Sequence, residues 1–304
     1  MIHSTKRPVV IFDIDNTLYN FVDFFGPAFR AMVHVIGSRT AIPETELFAS
    51  FKRVYSERGS LEYRYSIQEL DVLNNYTKDE LSSLLHASFV AFSKSRNLRL
   101  VPYDGVKEIL NWLHRSGYKL IAYTDAPHKH SANRLKKLGI KSYFDILVAW
   151  GPSLTNEDFS TQYSEKITNS SGDWYITEND RSYMMGNMQV LTHPSEEKKP
   201  NIDLLCRLTN ELSIDVQRSW VVGDSVEKDL VPGMELGFKG AWAKYGKKYE
   251  QKNWETLVSV SPWDTKTIKK EEKHNKTEPI EPDWVLDSFY SLRNAIKEIQ
   301  LSLF

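Results

Sequence analysis

Hydrophobic residues along this chain follow two patterns that alternate. Short apolar runs, typical of buried strands, occur at 8–13, at 119–123 and within the stretches FDILVAW, RSWVVGD, GAWAKY and DWVLDSF. Apolar residues at three- and four-residue spacing, typical of amphipathic helices, occur in VKEILNWLHRSG, SANRLKKLGI and IDLLCRLTNEL. Strands that alternate with helices in this way predict an α/β fold whose doubly wound parallel sheet is covered on both faces.

The alternation is interrupted after the first strand. From Phe21 to about Ser95 the apolar spacing is helical, and no convincing strand breaks it. We therefore expect an inserted all-helical domain at 19–97 and an α/β core assembled from 1–18 and 98–304.

Two polar segments of the predicted core do not follow the alternation. The first, at about 151–195, is rich in Ser, Asn and Tyr, and we expect it to be an additional insertion. The second, at about 258–282, combines Lys and Glu with three prolines. Such a composition favours a solvated linker.

Composition and charge exclude several classes of protein. Of the 304 residues, 41% are hydrophobic and 26% are charged, and the formal net charge is -1. Neither nucleic acid nor a membrane is therefore an expected partner. No apolar run approaches the ~18 residues that span a bilayer, and we expect a cytoplasmic protein. The single cysteine, Cys206, cannot form an internal disulfide and is expected to be a buried, unreactive thiol.

Polar residues that are unusual in a buried strand follow three of the predicted strands. They are Asp13 and Asp15 after VVIF, Thr124 and Asp125 after LIAY, and Asp224 after WVVG. Because a doubly wound sheet binds ligands outside the carboxyl ends of its strands, we expect these side chains to converge. Carboxylates gathered at that edge form a hard oxygen site suited to Mg²⁺, which needs few protein ligands.

Lys199, in EEKKPNIDLL, lies at the predicted start of a helix. A cation, a hydroxyl donor such as Thr124, backbone amides and a metal ion are what phosphoryl oxygens require. An aspartate in that setting can attack phosphorus and form an acyl phosphate. A calcium-binding EF-hand loop starting at Asp13 is a poor alternative, because Leu18 stands at its glycine position and Phe24 at its closing glutamate.

Four short motifs occur in a recognisable order: DIDNTL, YTD, KKP and VGDSVEKD. This order resembles the motifs of the haloacid dehalogenase (HAD) superfamily, and the helical insertion after the first motif resembles the C1 cap of that superfamily. The resemblance implies a HAD-like Rossmannoid core in which Asp13 is the nucleophile and Asp15 the general acid and base. Lys199 is implied as the third catalytic residue, because the family's lysine commonly precedes a proline. Together with Lys199, Thr124 and Asp125 are expected to bind the phosphate.

The same resemblance implies a metal cofactor, Mg²⁺. Its expected site consists of Asp13, Asp15 and Asp224. Asp229 is implied as a further acid, either near the lysine or behind the ligands of the metal.

The resemblance also limits the reactions that this protein is expected to catalyse. Dehalogenases of the superfamily generally lack the second aspartate and need no metal, whereas this chain has both Asp15 and Asp224. We therefore expect hydrolysis of a small-molecule phosphate monoester, with nucleotides and flavin mononucleotide among the candidate substrates. A phosphomutase that passes the same aspartyl phosphate to a second hydroxyl stays open, as does a non-catalytic binding or regulatory protein on this fold. His128 and His130 lack a third soft ligand and are expected to be surface histidines.

Overall fold

The chain forms two compact units. Unit 1 consists of Met1–Tyr19, Pro102–Lys247 and Glu278–Phe304, and unit 2 consists of Asn20–Val101 and Lys248–Thr277. The structure, a computed structural model, describes residues 6–63, 65–151, 188–194, 197–272 and 281–302.

The strands and helices below are those of the described residues. The strands are β1 Val9–Phe12, β2 Lys119–Pro127, β3 Ile146–Trp150, β4 Gln189–His193, β5 Trp220–Gly223, β6 Lys239–Trp242 and β7 Trp284–Val285. The helices are α1 Phe21–Thr40, α2 Glu44–Arg58, α3 Lys78–Arg99, α4 Val106–Arg115, α5 His128–Lys137, α6 Ile202–Glu211, α7 Val231–Glu235, α8 Gln251–Val260, α9 Thr265–Glu272 and α10 Ser291–Ser302. None of these helices combines the length and the apolarity that a bilayer crossing needs.

The seven strands form one parallel sheet in unit 1, in the order β4-β3-β2-β1-β5-β6-β7. The chain builds outward from β1 on one side through β2, β3 and β4, and then on the other side through β5, β6 and β7. This is the doubly wound α/β sheet that the sequence predicts. Because β1 lies between β2 and β5, where the strand order reverses, its carboxyl end is the place at which such sheets bind ligands.

β1 is uniformly apolar because both faces of the sheet are covered at this strand. All four of its residues are buried. Ile11 belongs to one hydrophobic cluster with Leu205 and Leu208 of α6. On the opposite face, the ring of Phe12 lies 5.9 Å from the ring of Phe289, just before α10. A strand fixed on both faces gives the residues that follow it a rigid base.

Unit 2 contains helices and turns and, within its described residues, no strand. α1 begins where the side chain of Asn20 accepts a hydrogen bond from the backbone N of Asp23 at 2.9 Å, which is a regular N-cap. The core of unit 2 is aromatic: the ring of Phe29 lies 5.5 Å from that of Phe25 and 5.0 Å from that of Phe51 in α2. Stacked and edge-on rings of this kind bury large apolar areas between helices.

The segment that contains α8 packs within unit 2, although the sequence pattern places it with the core. At Gly26 of α1, any Cβ would lie 2.9 Å from the Cα of Asn253, so the two helices approach closely. The buried Asn253 donates to Asp23 Oδ1 at 2.8 Å and accepts from Arg30 at 2.7 Å. These hydrogen bonds satisfy polar groups that would otherwise be costly to bury.

The structure differs from the sequence prediction in both polar segments. β4 lies inside the predicted insertion 151–195 and pairs with β3 from Gln189 to His193, while 152–187 lies outside the described residues. Only His193 of this edge strand is buried, so the strand lacks the apolar run that reveals the others. The predicted linker 258–282 includes the end of α8 and the whole of α9, whose Lys and Glu residues are good helix formers.

Candidate active site

Asp13 and Asp15 lie in the turn directly after β1. The backbone N of Asp13 still donates to a carbonyl oxygen of β5 at 2.9 Å, so the sheet fixes the first residue beyond the strand. The chain then turns: the backbone N of Leu18 donates to Ile14 O at 2.9 Å. Asn16 has a φ of 59°, a left-handed conformation that Asn adopts more readily than most residues.

A second loop fixes this turn from the other side. Gly246 approaches the carbonyl oxygen of Asn16 so closely that any Cβ would collide with it. The hydroxyl of the buried Tyr245 donates to Thr17 O at 2.8 Å. Burial raises the pKa of Tyr245 well above its usual value, so this hydroxyl keeps its proton and remains a donor. The carboxylate of Asp13 therefore stands on a backbone that is held by both neighbours.

Lys199 connects several parts of unit 1 at this edge of the sheet. Its Nζ donates to Asp13 Oδ1 at 2.6 Å, to Asp229 Oδ1 at 2.7 Å and to a carbonyl oxygen of β2 at 3.1 Å. Its backbone N donates to Asp125 Oδ1 at 2.9 Å. Only 5% of its side chain is exposed. The ammonium thus has three acceptors for its three hydrogens.

Burial and charge repulsion determine the pKa values of Asp13 and Lys199. The pKa of Asp13 lies well above its usual value because burial disfavours the charged form; the ammonium of Lys199 opposes this rise, and the carboxylates of Asp229 and Asp224 add to it. For Lys199, burial acts to lower the pKa, but the neighbouring carboxylates outweigh burial and raise it. Lys199 is therefore a cation, and a second cation would relieve the remaining repulsion among the acids.

One group of carboxylates in the described part of the chain is close enough to hold a metal ion. Its members are Asp13, Asp224 and Asp229, whose oxygen atoms lie within 4.8 Å of one another. The carboxylate of Asp15 lies outside this group, in contrast to the metal site expected from the sequence. Three carboxylates supply the hard oxygen atoms that Mg²⁺ prefers, so the residues fit that ion.

Local backbone features bring Asp229 into this group. It lies in a π-helical turn, and its Oδ2 accepts from the backbone N of Ser225 at 3.0 Å. Gly223, the last residue of β5, has no Cβ that would collide with the Asp229 side chain. Asp224 is also paired, because Lys247 Nζ lies 3.1 Å from its Oδ2.

Thr124 and Asp125 lie near the carboxyl end of β2, as the sequence predicts, but their environments differ. The buried Thr124 hydroxyl accepts from the backbone N of Ala126 at 3.1 Å, which orients its own hydrogen elsewhere. The Asp125 carboxylate accepts the backbone N–H of Lys199. A carboxylate has no hydrogen to donate and repels phosphate. The Asp125 side chain instead holds the segment that carries Lys199.

Asp15 is bound by two residues that the motifs do not indicate. Its Oδ1 accepts from Tyr19 Oη at 2.6 Å and from Arg134 NH1 at 2.9 Å. Arg134, in α5, is only 4% exposed. A signal for it exists in the sequence, since Arg134 shares the helix face of Ser131, Leu135 and Leu138, whose side chains are buried.

Two further expectations prove wrong. Cys206 is exposed, because α6 directs Leu204, Leu205 and Leu208 toward the core and Cys206 away from it. His128 is buried at the start of α5, with Nδ1 3.3 Å from Trp150 O. Burial lowers the pKa of His128 to about 4, so it is neutral at physiological pH.

Two family models match this chain. Residues 8–151 match the model of haloacid dehalogenase-like hydrolases, and residues 197–292 match a HAD-hydrolase-like model. The chain belongs to the haloacid dehalogenase superfamily. The two matches include every site residue described above.

Relatives and structures agree with membership of the HAD superfamily. A glyceraldehyde 3-phosphate phosphatase of Methanopyrus kandleri is 31% identical over 144 residues, which are 46% of this chain and 60% of that relative. A protein of the same name from Methanocaldococcus jannaschii is 23% identical over 75% of this chain and 81% of the relative. A solved 2-haloacid dehalogenase from Pseudomonas syringae covers 96% of this chain and 99% of its own, with a TM-score of 0.54 and 16% identity, and shares the fold.

Proposed function

We propose that this HAD protein is a Mg²⁺-dependent phosphatase that hydrolyses a small-molecule phosphate monoester through an aspartyl phosphate on Asp13. The observation that carries the proposal is the arrangement around that residue. Asp13 lies at the end of a buried strand, 2.6 Å from the Lys199 ammonium and within 4.8 Å of two further carboxylates. A buried nucleophile, a fixed cation and a hard oxygen site are the elements that phosphoryl transfer needs.

Asp13, Asp224 and Asp229 would hold the metal ion. Their fit is supported by the raised pKa of Asp13, which burial and neighbouring acids produce and which a bound cation would counteract. When bound, Mg²⁺ would neutralise charge on the carboxylates and on the phosphoryl oxygens. Lys199 would supply a further positive charge to the phosphoryl group, and the Thr124 hydroxyl a hydrogen bond.

The proposed reaction has two steps. In the first, a carboxylate oxygen of Asp13 attacks phosphorus, the bond from phosphorus to the ester oxygen breaks, and that oxygen takes a proton from Asp15. In the second, a water molecule attacks the phosphorus of the acyl phosphate and gives a proton to Asp15. The bond between phosphorus and Asp13 then breaks, which releases inorganic phosphate and regenerates both acids.

The relatives suggest which substrates to try first. Both are named glyceraldehyde 3-phosphate phosphatase, so a short phosphorylated aldehyde or polyol is the first class of substrate that we propose. Nucleoside monophosphates and flavin mononucleotide form the comparison set.

The test is phosphate release from these esters and from p-nitrophenyl phosphate, with Mg²⁺ and with EDTA. We expect release that requires Mg²⁺ and that Asp13→Asn abolishes. Acid quenching during turnover should trap one phosphoryl group on the peptide that contains Asp13, as mass spectrometry would show. Full activity in EDTA, or in Asp13→Asn, would contradict the proposal. An isomerised phosphate ester without released phosphate would instead identify a phosphomutase.

A further inference from the structure

Arg134 is an unusual residue in unit 1 because its guanidinium is buried. Only 5% of its side chain is exposed, against 24% for its partner Asp15. Removing a charge from water costs several kcal/mol unless a partner compensates, so a buried Arg indicates a specific interaction. Here Arg134 NH1 lies 2.9 Å from Asp15 Oδ1 and 2.7 Å from Tyr19 Oη.

The three side chains form a closed triangle of contacts. The Tyr19 hydroxyl donates to Asp15 Oδ1 at 2.6 Å, and Arg134 NH1 donates to both partners. Both donors to the carboxylate therefore act on the same oxygen atom. Two donors on one oxygen fix the rotation of a carboxylate about its terminal bond, which is otherwise soft.

The three corners of the triangle lie on two parts of unit 1, the turn after β1 and helix α5. Asp15 follows β1, and Tyr19 forms backbone bridges to both Asp15 and Pro102. Arg134 stands on α5, which starts directly after β2 and therefore after the segment that carries Thr124. Its Nε also approaches the carbonyl oxygen of His130 in the same helix, at 3.4 Å. The orientation of Asp15 is thus set by the elements that hold the rest of the site.

We propose that Arg134 and Tyr19 are positioning residues that hold the Asp15 carboxylate in the orientation from which it exchanges a proton with the leaving group and with water. This inference rests on the proposed function, since it assumes that Asp15 is the general acid and base. A correctly oriented general acid contributes about 10²- to 10⁴-fold to the rate, and the contribution is largest for leaving groups that need a proton.

A purely structural role for the same contacts has different consequences. If Arg134 only stabilised the loop after β1, its loss would displace Asp13 as well as Asp15. All esters would then lose activity by a similar factor, whether or not Asp15 was intact. A positioning role acts only through Asp15, so its effects depend on the leaving group and on that carboxylate.

The experiment is a double-mutant cycle measured on a series of esters. Arg134→Ala, Arg134→Lys and Tyr19→Phe are each made in the native chain and in Asp15→Asn. kcat/KM is measured at saturating Mg²⁺ for p-nitrophenyl phosphate, phenyl phosphate and glycerol phosphate, because this parameter reports the first chemical step. Lys137→Ala, an exposed position on the same helix, is the matched control, and the Tm of every variant is recorded.

We expect Arg134→Ala to lower kcat/KM for glycerol phosphate about 100-fold and for p-nitrophenyl phosphate only a few-fold. Tyr19→Phe should show the same trend with a smaller loss, and Arg134→Lys should restore part of the activity. In Asp15→Asn, the same substitutions should change kcat/KM by less than about twofold, because their route of action is already removed. Lys137→Ala should match the native chain.

Two results would overturn the inference: equal losses on all esters, or equal losses with and without the Asp15 carboxylate. If Arg134→Ala does not fold, Tyr19→Phe and Arg134→Lys decide by the same criteria, since each retains most of the buried volume. Failure of the proposed function has a separate signature. In that case the native chain shows no Mg²⁺-dependent turnover, or Asp15→Asn alone has no effect.

Discussion

Each unit contains a cluster of polar side chains with an ion pair, and the two ion pairs have nearly the same length. The inner cluster of unit 1 consists of Asp13, Lys199, Asp224 and Asp229, and the outer cluster of unit 2 consists of Arg58, Tyr63 and Glu69. Lys199 Nζ lies 2.6 Å from Asp13, and Arg58 Nε lies 2.8 Å from Glu69. By distance alone the two pairs are equivalent.

Exposure separates them. The side chains of Lys199 and Asp13 are 5% and 10% exposed, whereas those of Arg58 and Glu69 are 48% and 29% exposed. Water screens the outer pair, while the inner pair interacts in a medium of lower effective dielectric constant. The length of an ion pair therefore says little about its energy unless the exposure of both partners is known.

The pKa values follow the same division. In the inner cluster, burial raises the pKa of Asp13 against the pull of Lys199. In the outer cluster, the pKa of Glu69 falls because Arg58 donates hydrogen bonds to it. Partial burial and Glu69 together raise the pKa of Tyr63 to about 12. Glu69 is therefore stable as an ion, whereas Asp13 needs a nearby cation to be ionised.

The largest expected effect comes from removing the inner cation. Lys199→Met keeps much of the side-chain volume but leaves Asp13 and Asp229 without their shared ammonium. We expect kcat/KM to fall at least about 10³-fold, and the free energy of unfolding to fall by about 3–5 kcal/mol, as for other broken buried pairs. Urea denaturation and ester hydrolysis measure the two effects.

Arg58→Met is the matched change in the outer cluster. It should lower the free energy of unfolding far less than Lys199→Met does, because exposed ion pairs contribute little. If both variants were destabilised equally, exposure would not be what distinguishes the two clusters.

A second prediction uses a metal ion to sharpen the contrast. If Asp224 belongs to a Mg²⁺ site, Mg²⁺ added to the EDTA-treated native protein should raise its Tm, because binding to the folded state stabilises it. Asp224→Asn should remove most of this rise and raise the Mg²⁺ concentration needed for half-maximal activity at least about tenfold. Glu69→Gln is the control in the outer cluster and should keep the native response. If Mg²⁺ did not change the Tm of the native protein, that result would argue against the proposed metal site.

Two residues of the inner cluster, Asp13 and Asp224, were predictable because each follows an apolar run. β1 is an unbroken apolar run, and Asp13 stands where that run ends. The same reasoning found Thr124 near the end of β2 and Asp224 after β5. Strand order then brings these positions together, since β1 lies between β2 and β5. The central sheet and these two acids thus followed from hydrophobic patterning, whereas Asp229 was implied only by the resemblance to the HAD motifs.

Other parts of the fold are not marked by an interrupted apolar run in the sequence. β4 is an edge strand with one buried residue, so its pattern is that of a polar loop. Arg134 is one of several basic residues in α5, and only its helix face distinguishes it from the exposed Lys136 and Lys137. α8 belongs to unit 2 because its Asn253 contacts Asp23 of α1, more than two hundred residues earlier in the sequence. Contacts of that range depend on tertiary packing, which local patterns do not report.

A third prediction concerns a buried group outside the inner cluster. His128 has a pKa lowered to about 4, mainly by burial, so the folded protein keeps it neutral where the unfolded chain binds a proton. Because the unfolded pKa is about 6.5, the free energy of unfolding should fall as the pH is lowered from about 6.5 to about 4. At about 1.4 kcal/mol per pKa unit, the loss is at most about 3 kcal/mol.

The measurement is urea denaturation at several pH values for the native chain and for His128→Gln. The native chain should lose more stability over this interval than the variant does. His34→Gln, at an exposed histidine of α1, is the control and should keep the native pH dependence. If His128→Gln also kept the native pH dependence of stability, burial of the neutral His128 imidazole would not be its cause.

The smallest effect is expected for the coupling energy between Arg58 and Glu69 of the outer cluster. Arg58 contacts Glu69 through two N–H groups, both at 2.8 Å, and its guanidinium lies 5.1 Å from the centre of the Tyr63 ring. This two-point geometry is the most favourable that an exposed pair can adopt, yet two flexible side chains must be ordered to form it. A double-mutant cycle of Arg58→Ala and Glu69→Ala should therefore give a small coupling energy that shrinks as salt is added, since ions screen exposed charges. A large coupling energy that salt left unchanged would mean that the outer pair is shielded from water in solution. The contrast between the two clusters would then have to rest on the chemistry of the inner acids rather than on their burial.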